Sequence, residues 1–214
     1  MPYVTMVRDG VTPSAIPAFN DVHHNMIVAN YAADGGCLDN DDGSCWYKIH
    51  DNACLYGGHK SDFDGHSKWS YDNLHLYASV YGDRCVEIGA QVLPLPGFAD
   101  VYANNTCVLV PNAECIDLGQ GASGFPAPGA EFSSRFEFYN NTIYSTLGSG
   151  CRAAGGPFST MADFQAKGYE SGAASPVIST LPRAATMVQW SKDKLSAGAA
   201  QRIAEATARA LGRA

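Results

Sequence analysis

An asparagine recurs five times along the chain in one setting, with polar or aromatic residues before it and, in four of the five cases, an apolar residue two positions after it. The five residues are Asn25, Asn52, Asn73, Asn105 and Asn141. Their spacings of 27, 21, 32 and 36 residues suit the coils of a right-handed parallel β-helix, which need about 20 residues each. The repeat therefore predicts an all-β fold, a right-handed parallel β-helix of about five to six coils that bury their apolar faces against one another.

Asparagine suits a sharp corner between two short strands. It tolerates the left-handed backbone region, and its amide bonds to the coils above and below. Strand alternation predicts that the residues three before and two after each asparagine point inward. These residues are Val22 and Ile27, Ile49 and Cys54, Tyr102 and Cys107, and Phe138 and Ile143. The alternative is that the asparagines are loop residues of an ordinary β-rich protein.

Composition fits a turn-rich, strand-rich body. Charged residues make up 16% of the 214 residues, and 22 are glycine, which is not typical of a helical protein. A net charge of −7 argues against nucleic acid as a partner. No apolar run approaches the roughly 20 residues that span a bilayer.

The carboxyl end changes character, so residues 1–178 are predicted to form the β-helix and residues 179–214 a C-terminal α-helical appendage. Residues 182–195 have the pattern of an amphipathic helix. The segment from Ser196 to Gly198 is expected to interrupt it, and the Ala-rich residues 199–211 are expected to form a weakly docked helix.

Seven cysteines favour a secreted or extracellular protein over a cytosolic one. Their pairing stays open, and Cys54 and Cys107 are interpreted as small buried hydrophobes at equivalent inward positions. The first residues lack a secretory signal and leave the first coil uncovered. We therefore expect a missing upstream segment, or a larger assembly, to cover the open strand groups.

Acidic residues are concentrated between residues 39 and 66. If the 21-residue step between neighbouring asparagines extends along the strands, Asp41, Asp62 and Asp83 stack in one column at about 4.8 Å. Carboxylates so close share protons or bind a cation, and calcium prefers several oxygen ligands in flexible geometry. Asp42 and Asp64 are the other candidate calcium ligands.

Two alternatives remain for these residues. The segment from Asp39 to Ser44 also reads as a solvated turn. A transition metal such as zinc is the alternative ion, held by His59, Asp62, Asp64 and His66.

The chain resembles a group of right-handed β-helix proteins of the pectate-lyase-like superfamily. The resemblance lies in residues 39–44 (DNDDGS), 49–52 (IHDN), 60–66 (KSDFDGH) and 164–169 (FQAKGY), with Leu181, Pro182 and Trp190 near its end. It covers roughly residues 20–195. Members of the superfamily act mainly on polysaccharides, so the resemblance implies a polysaccharide partner.

As in some calcium-dependent β-helix lyases, the resemblance implies a lyase scheme for an acidic polysaccharide. The ion held by Asp41 and Asp62 neutralises a uronate, Lys60 takes the acidified proton, and His66 protonates the leaving oxygen. An inverting hydrolase of polygalacturonase type is a further alternative. Its expected Arg-x-Lys element is replaced by Arg84-Cys85-Val86.

A non-catalytic role competes with both schemes. The same fold serves as a carbohydrate-binding or structural body, with Trp46 and Trp69 stacking on sugar rings. His50 and His59 are the other residues expected to contact a saccharide. Whether the protein is an enzyme stays open. Loss of turnover with retained sugar binding in Lys60→Ala would favour the lyase.

Overall fold

The computed structural model describes residues 18–28, 36–40, 43–62, 65–78, 84–89, 94, 96–110, 114–117, 130, 134–145, 152–154, 165–166, 177–178 and 182–210. The strands are β1 (Asn20–His23), β2 (Met26–Val28), β3 (Leu38–Asn40), β4 (Cys45–His50), β5 (Ala53–Leu55), β6 (His59–Asp62), β7 (His66–Tyr71), β8 (Leu74–Ala78), β9 (Arg84–Gly89), β10 (Asp100–Ala103), β11 (Thr106–Leu109), β12 (Glu114–Asp117), β13 (Phe136–Tyr139), β14 (Thr142–Tyr144), β15 (Arg152–Ala154) and β16 (Val177–Ile178). One long helix, α1 (Ala184–Ala210), follows them.

The strands form three sheets in which every pair is parallel. Sheet A has the order β1-β4-β7-β10-β13, sheet B the order β16-β14-β11-β8-β5-β2, and sheet C the order β15-β12-β9-β6-β3. From β1 to β15 the chain visits the three sheets in the same order, so each strand pairs with the strand three places later. The prediction of a mostly β protein with parallel strands and a C-terminal helix is confirmed, and the arrangement is consistent with a β-helix-like fold.

The repeat asparagines form a hydrogen-bonded ladder across the corner between sheets A and B. The backbone N–H and the Nδ2 of Asn52 both donate to Oδ1 of Asn73, at 3.1 and 3.0 Å. Asn25, Asn73 and Asn105 make the same pair of bonds to the next asparagine. The amides therefore join five successive repeats, as the sequence predicts.

The left-handed conformation belongs to the residue before each ladder asparagine. Positive φ angles of 52° to 56° occur at His24, Asp51, Asp72, Asn104 and Asn140. The expectation that the asparagine itself adopts this conformation is wrong. The turn is made one residue earlier, which leaves the asparagine side chain directed along the ladder.

The inward positions form the core as predicted. Ile49, Tyr102, Phe138 and Ile143 are at most 3% exposed, whereas Val22 and Ile27 of the first repeat are partly buried. Cys54 and Cys107 are also buried, but each forms a disulfide, with Cys37 and Cys85 respectively. The interpretation of these two cysteines as simple buried hydrophobes is wrong, because each has a cysteine of the neighbouring sheet C segment within bonding distance.

The interior also holds histidines. His75 is in register with both Cys54 and Cys107, and burial lowers its pKa to about 4 against an opposing hydrogen bond to the backbone of Gly57. His75 is therefore neutral at pH 7.

Acid is expected to weaken the fold through His75. Because its pKa is lower in the folded than in the unfolded chain, the stability due to the neutral form is present above pH 6.5 and is lost as the pH falls towards 4. The loss from this side chain is about 2 kcal/mol at pH 5, since each pH unit below the unfolded pKa costs about 1.4 kcal/mol. Urea unfolding at pH 7 and pH 5 should show a smaller acid loss in His75→Gln than in the natural chain. Equal acid losses in the two proteins would contradict the prediction.

Helix α1 packs on sheet B. Met187 belongs to one buried cluster with Leu74, Leu76 and Val108, and Trp190 packs against this cluster. The helix runs unbroken through residues 196–198, so the predicted interruption is wrong. Glycine is needed at position 198, because a Cβ there would collide with the His24 ring.

A polar contact also fixes the helix to the strands. Lys194 Nζ lies 2.9 Å from Oδ1 of Asp51, in the corner between sheets A and B. Within the described part of the chain, α1 included, no helix has both the length and the apolar character that crossing a bilayer requires.

Candidate functional site

An open groove of about 710 Å³ lies on the outer face of sheet A. Its aromatic lining consists of Trp46, Trp69, Tyr71, Phe98 and Tyr139, and its polar lining of Lys48, Ser67, Asn104 and Glu137. These residues come from β4, β7, β10, β13 and the segment before β10. The two tryptophans predicted to contact sugar therefore lie in one groove.

Strand alternation and register explain how the floor of the groove forms. Lys48 pairs with Trp69, Trp69 with Val101, and Val101 with Glu137. Side chains at paired positions project from the same face, with about 4.8 Å between neighbouring strands. The floor therefore consists of one residue from each of four successive strands.

Trp46 lies on this face at a backbone irregularity. Trp46 and Ser67 have φ angles of 58° and 53°, and the pairing of β4 with β7 passes directly from Cys45 with His66 to Tyr47 with Lys68. The irregularity thus occurs in both strands at the same place. Strand alternation continues across it, so Trp46 and Ser67 line the groove together with Lys48 and Trp69.

Lys48 lies among aromatic rings. Its Nζ is 4.7 Å from the centre of the Phe19 ring and 5.6 Å from that of Trp69, distances at which a cation and a ring attract each other. Phe19 also packs on both tryptophans, with ring centres 5.1 Å from Trp46 and 4.5 Å from Trp69. The ammonium group and the tryptophans are thus held as one unit at the β4 side of the groove.

His50 borders the groove. Its ring stacks between those of His23 and Tyr71, at 5.0 and 4.8 Å. Its Nε2 and Nδ1 lie 2.8 and 2.9 Å from carboxylate oxygens of Asp21 and Asp51. Because both ring nitrogens are engaged, His50 supports Tyr71 and has no free nitrogen for a saccharide in this arrangement.

The predicted catalytic pair is divided between two sheets. His66 lies in sheet A, beneath the groove, where its ring contacts Trp46 and Phe98 edge-on. Lys60 lies in sheet C, with its Nζ 3.7 Å from Oδ2 of Asp39 and its side chain 8% exposed. Burial, followed by the nearby Lys68 charge, lowers the pKa of His66, which disfavours the charged form that a general acid uses.

His59 is an interior residue. Its two ring nitrogens lie 3.0 Å from Ser70 Oγ and 2.9 Å from Asn40 Oδ1. Burial, with smaller effects of His75 and Lys68, lowers its pKa to about 3. The prediction that His59 contacts a saccharide does not agree with this position, because the ring is 2% exposed and faces the core.

The structure describes little of the proposed calcium site. Asp41, Asp42, Asp64 and Asp83 lie outside the described residues, and Asp62 is described only as the last residue of β6. Asp62 is in register with Gly89, so the 21-residue step that would place Asp83 beside it does not hold there. Among the described residues, no group of three or more His, Cys, Asp or Glu side chains is placed to hold a metal ion.

Two tyrosines of the groove lining occupy a position that recurs in the asparagine repeat. Tyr71 and Tyr139 stand two positions before ladder asparagines, at the position of His23 and His50 in earlier repeats. Ring-bearing residues at that position predict a stacked outer column. Phe98 lies outside the repeat pattern, and no comparable signal marks it.

Comparisons with models of known protein families, with curated proteins and with solved structures gave no match.

Proposed function

We propose that the protein is a right-handed parallel β-helix, of the kind found in the pectate-lyase-like superfamily, that binds carbohydrate in the groove on sheet A. The observation that carries the proposal is the aromatic lining of this groove. Sugar rings present apolar C–H faces and hydroxyl edges, and aromatic side chains bind such faces while nearby polar groups bind hydroxyls.

The shape of the groove supports a chain-like ligand. Its floor crosses four parallel strands, a span of roughly 14 Å at about 4.8 Å per strand. The groove is open to solvent, and its aromatic residues come from successive repeats. A saccharide of a few residues can contact several of them at once.

Cysteine chemistry supports an extracellular setting for this function. Two disulfides join inward-facing positions of the repeats. Disulfides persist in oxidising compartments and are rare in the cytosol.

Binding is preferred over the lyase scheme because of where the side chains lie. Lys60 is paired with Asp39 in sheet C, and His66 lies below the groove in sheet A. Calcium and lyase activity stay predictions. Their test is the absorbance of unsaturated uronate products formed from pectate or alginate with calcium and with a chelator.

Trp69→Ala is expected to weaken saccharide binding at least tenfold. Trp69 occupies the middle of the groove floor, and truncation of a central aromatic residue in a binding site commonly costs about 2 kcal/mol, whereas 1.4 kcal/mol is tenfold in affinity. Affinity electrophoresis of the full chain through gels with immobilised polysaccharides measures the retardation.

Tyr56→Ala is the matched control. Tyr56 is an exposed aromatic residue next to sheet B, away from the groove lining, so this variant should be retarded like the natural chain. Circular dichroism must show that both variants are folded. Equal retardation of Trp69→Ala and the natural chain would show that the groove is not the saccharide-binding site.

A further inference from the structure

We infer that the groove accepts a glycan that is neutral along most of its length and carries one anionic group, a carboxylate or a sulfate, placed at Lys48. This inference rests on the proposed function and specifies the ligand class for the same groove. It differs from the acidic polysaccharide that the sequence resemblance implies, because a polyuronate carries a charge on every unit.

The positive end of the groove lies at Lys48. The Lys48 ammonium has three hydrogens to donate. Among the residues that the structure describes, it contacts two aromatic rings and forms no ion pair with a carboxylate. The rings hold the charge in place. The nearest acidic position, Asp21 in register with Lys48 on β1, has its Oδ1 2.8 Å from His50 Nε2. A ligand anion is therefore the natural partner for this group.

The opposite end of the groove is negative. Glu137 is exposed on β13, three strands from Lys48, or roughly 14 Å at about 4.8 Å per strand. Lys48 and Glu137 are the two charged residues in the described lining. A chain with a charge on every unit would place one anion near Lys48 and another near Glu137, where like charges repel.

The floor between these two residues is uncharged. It consists of Trp69 and Val101, with Phe98, Asn104 and Tyr139 beside them. Stacking and hydroxyl hydrogen bonds are the interactions that these side chains offer. The net charge of −7 adds a general repulsion of dense polyanions.

Polymers that share one backbone and differ in charge provide the test. The first series is arabinoxylan, which is neutral, and glucuronoxylan, which carries sparse carboxylates. The second is highly methyl-esterified pectin and fully de-esterified polygalacturonate, and the third is agarose and sparsely sulfated agarose. The second series tests the density of carboxylates. The third tests whether a sparse sulfate is bound as a sparse carboxylate is. Affinity electrophoresis at low and high salt gives the relative affinities of the full chain.

In each series the natural chain should bind the sparsely charged polymer more tightly than the other member, which is neutral in the first and third series and densely charged in the second. Lys48→Met should reduce that preference over the neutral polymer by up to about fivefold, the range of a partly exposed ion pair. Glu137→Gln should improve binding of polygalacturonate. Lys192→Met, which removes an exposed charge from α1, is the matched control and should bind like the natural chain.

Two kinds of failure are distinguishable. Tightest binding of polygalacturonate, or an unchanged preference in Lys48→Met, would overturn the inference while leaving a carbohydrate-binding groove. No retardation by any polymer, in folded natural chain and Trp69→Ala alike, would overturn the proposed function and the inference with it.

Discussion

Replacement of Asn73 by alanine is expected to lower the free energy of unfolding by about 3–6 kcal/mol. Its Oδ1 accepts two hydrogen bonds from Asn52, and its Nδ2 donates to Ile49 O, Ser70 Oγ and Asn105 Oδ1. Alanine would remove the Oδ1 partner of the buried Asn52 backbone N–H and one of the two partners of Asn52 Nδ2, which keeps its bond to Val22 O. It would also take a donor away from the Ile49 carbonyl. Each buried polar group without a partner costs about 1–3 kcal/mol. Urea unfolding followed by circular dichroism measures the loss.

Asn25→Ala is the matched control for the ladder. Asn25 is exposed at the first repeat, and its Nδ2 donates to Asn52 Oδ1 and His23 O. Its backbone N–H still donates to Asn52 after the substitution, and water replaces the remaining bonds. A loss below about 1 kcal/mol is expected, as for surface substitutions generally. Equal losses in the two variants would show that the ladder does not stabilise the repeats.

The asparagine repeat predicts the corner and the ladder because both depend on chemistry within one short segment. The left-handed conformation occurs one position before the asparagine for which it is predicted, and the reason is physical. An asparagine whose amide bonds along the ladder has its side chain committed to the neighbouring repeats, so the preceding residue makes the turn. Asp51, Asp72, Asn104 and Asn140 are residue types that tolerate this conformation, and they are the signal that locates it.

The interior polar residues were harder to predict. Histidine and lysine residues in an acidic stretch are typical of a functional site, and the sequence predicts that His59 contacts a saccharide. Its partner Ser70 belongs to sheet A, and its partner Asn40 belongs to the neighbouring strand β3 of sheet C. Their proximity depends on where extra residues are inserted between strands, and that cannot be read from the repeat spacing alone. The repeat from Asn25 to Asn52 shows this, because Met26 pairs with Ala53 but Leu38 already pairs with His59.

The groove was predicted in part. Trp46 and Trp69 were expected to bind sugar, and both line it. Lys48 was not identified, because its importance comes from Phe19 and Trp69 around it rather than from a motif. The predicted acidic column depends on a 21-residue step between paired strands, and this step does not hold between β6 and β9. Extra residues between β8 and β9 shift the register, so Asp62 pairs with Gly89 and not with Asp83.

A buried ion pair inside the repeats carries the second large prediction. Lys68 Nζ lies 3.3 Å from Oδ2 of Asp100, and the two side chains are 3% and 1% exposed. The backbone N–H of Lys68 also donates to Oδ1 of Asp100, at 2.8 Å. Lys68→Met is expected to destabilise the protein by about 3–5 kcal/mol, because it leaves a buried carboxylate without its cation. Urea unfolding at pH 7 measures the loss.

The pH dependence distinguishes this mechanism from simple loss of packing. Burial raises the pKa of Asp100 and Lys68 opposes the rise, so removal of Lys68 should raise it further. A raised folded pKa means that stability is lost as the pH increases from the unfolded value through the folded one. The destabilisation by Lys68→Met, relative to the natural chain, should therefore be smaller at pH 5 than at pH 7.

Substitution of Asp100, alone and together with Lys68, tests the same ion pair. Asp100→Asn removes the carboxylate of this pair, and acid does not neutralise the buried lysine, so the destabilisation by Asp100→Asn should not shrink at pH 5. Lys68→Met/Asp100→Asn removes both charges and should be less destabilised than the sum of the two single variants, since paired buried charges are often replaced at little net cost. Additive losses that do not change with pH would instead show that Lys68 and Asp100 stabilise the interior by packing and not as an ion pair.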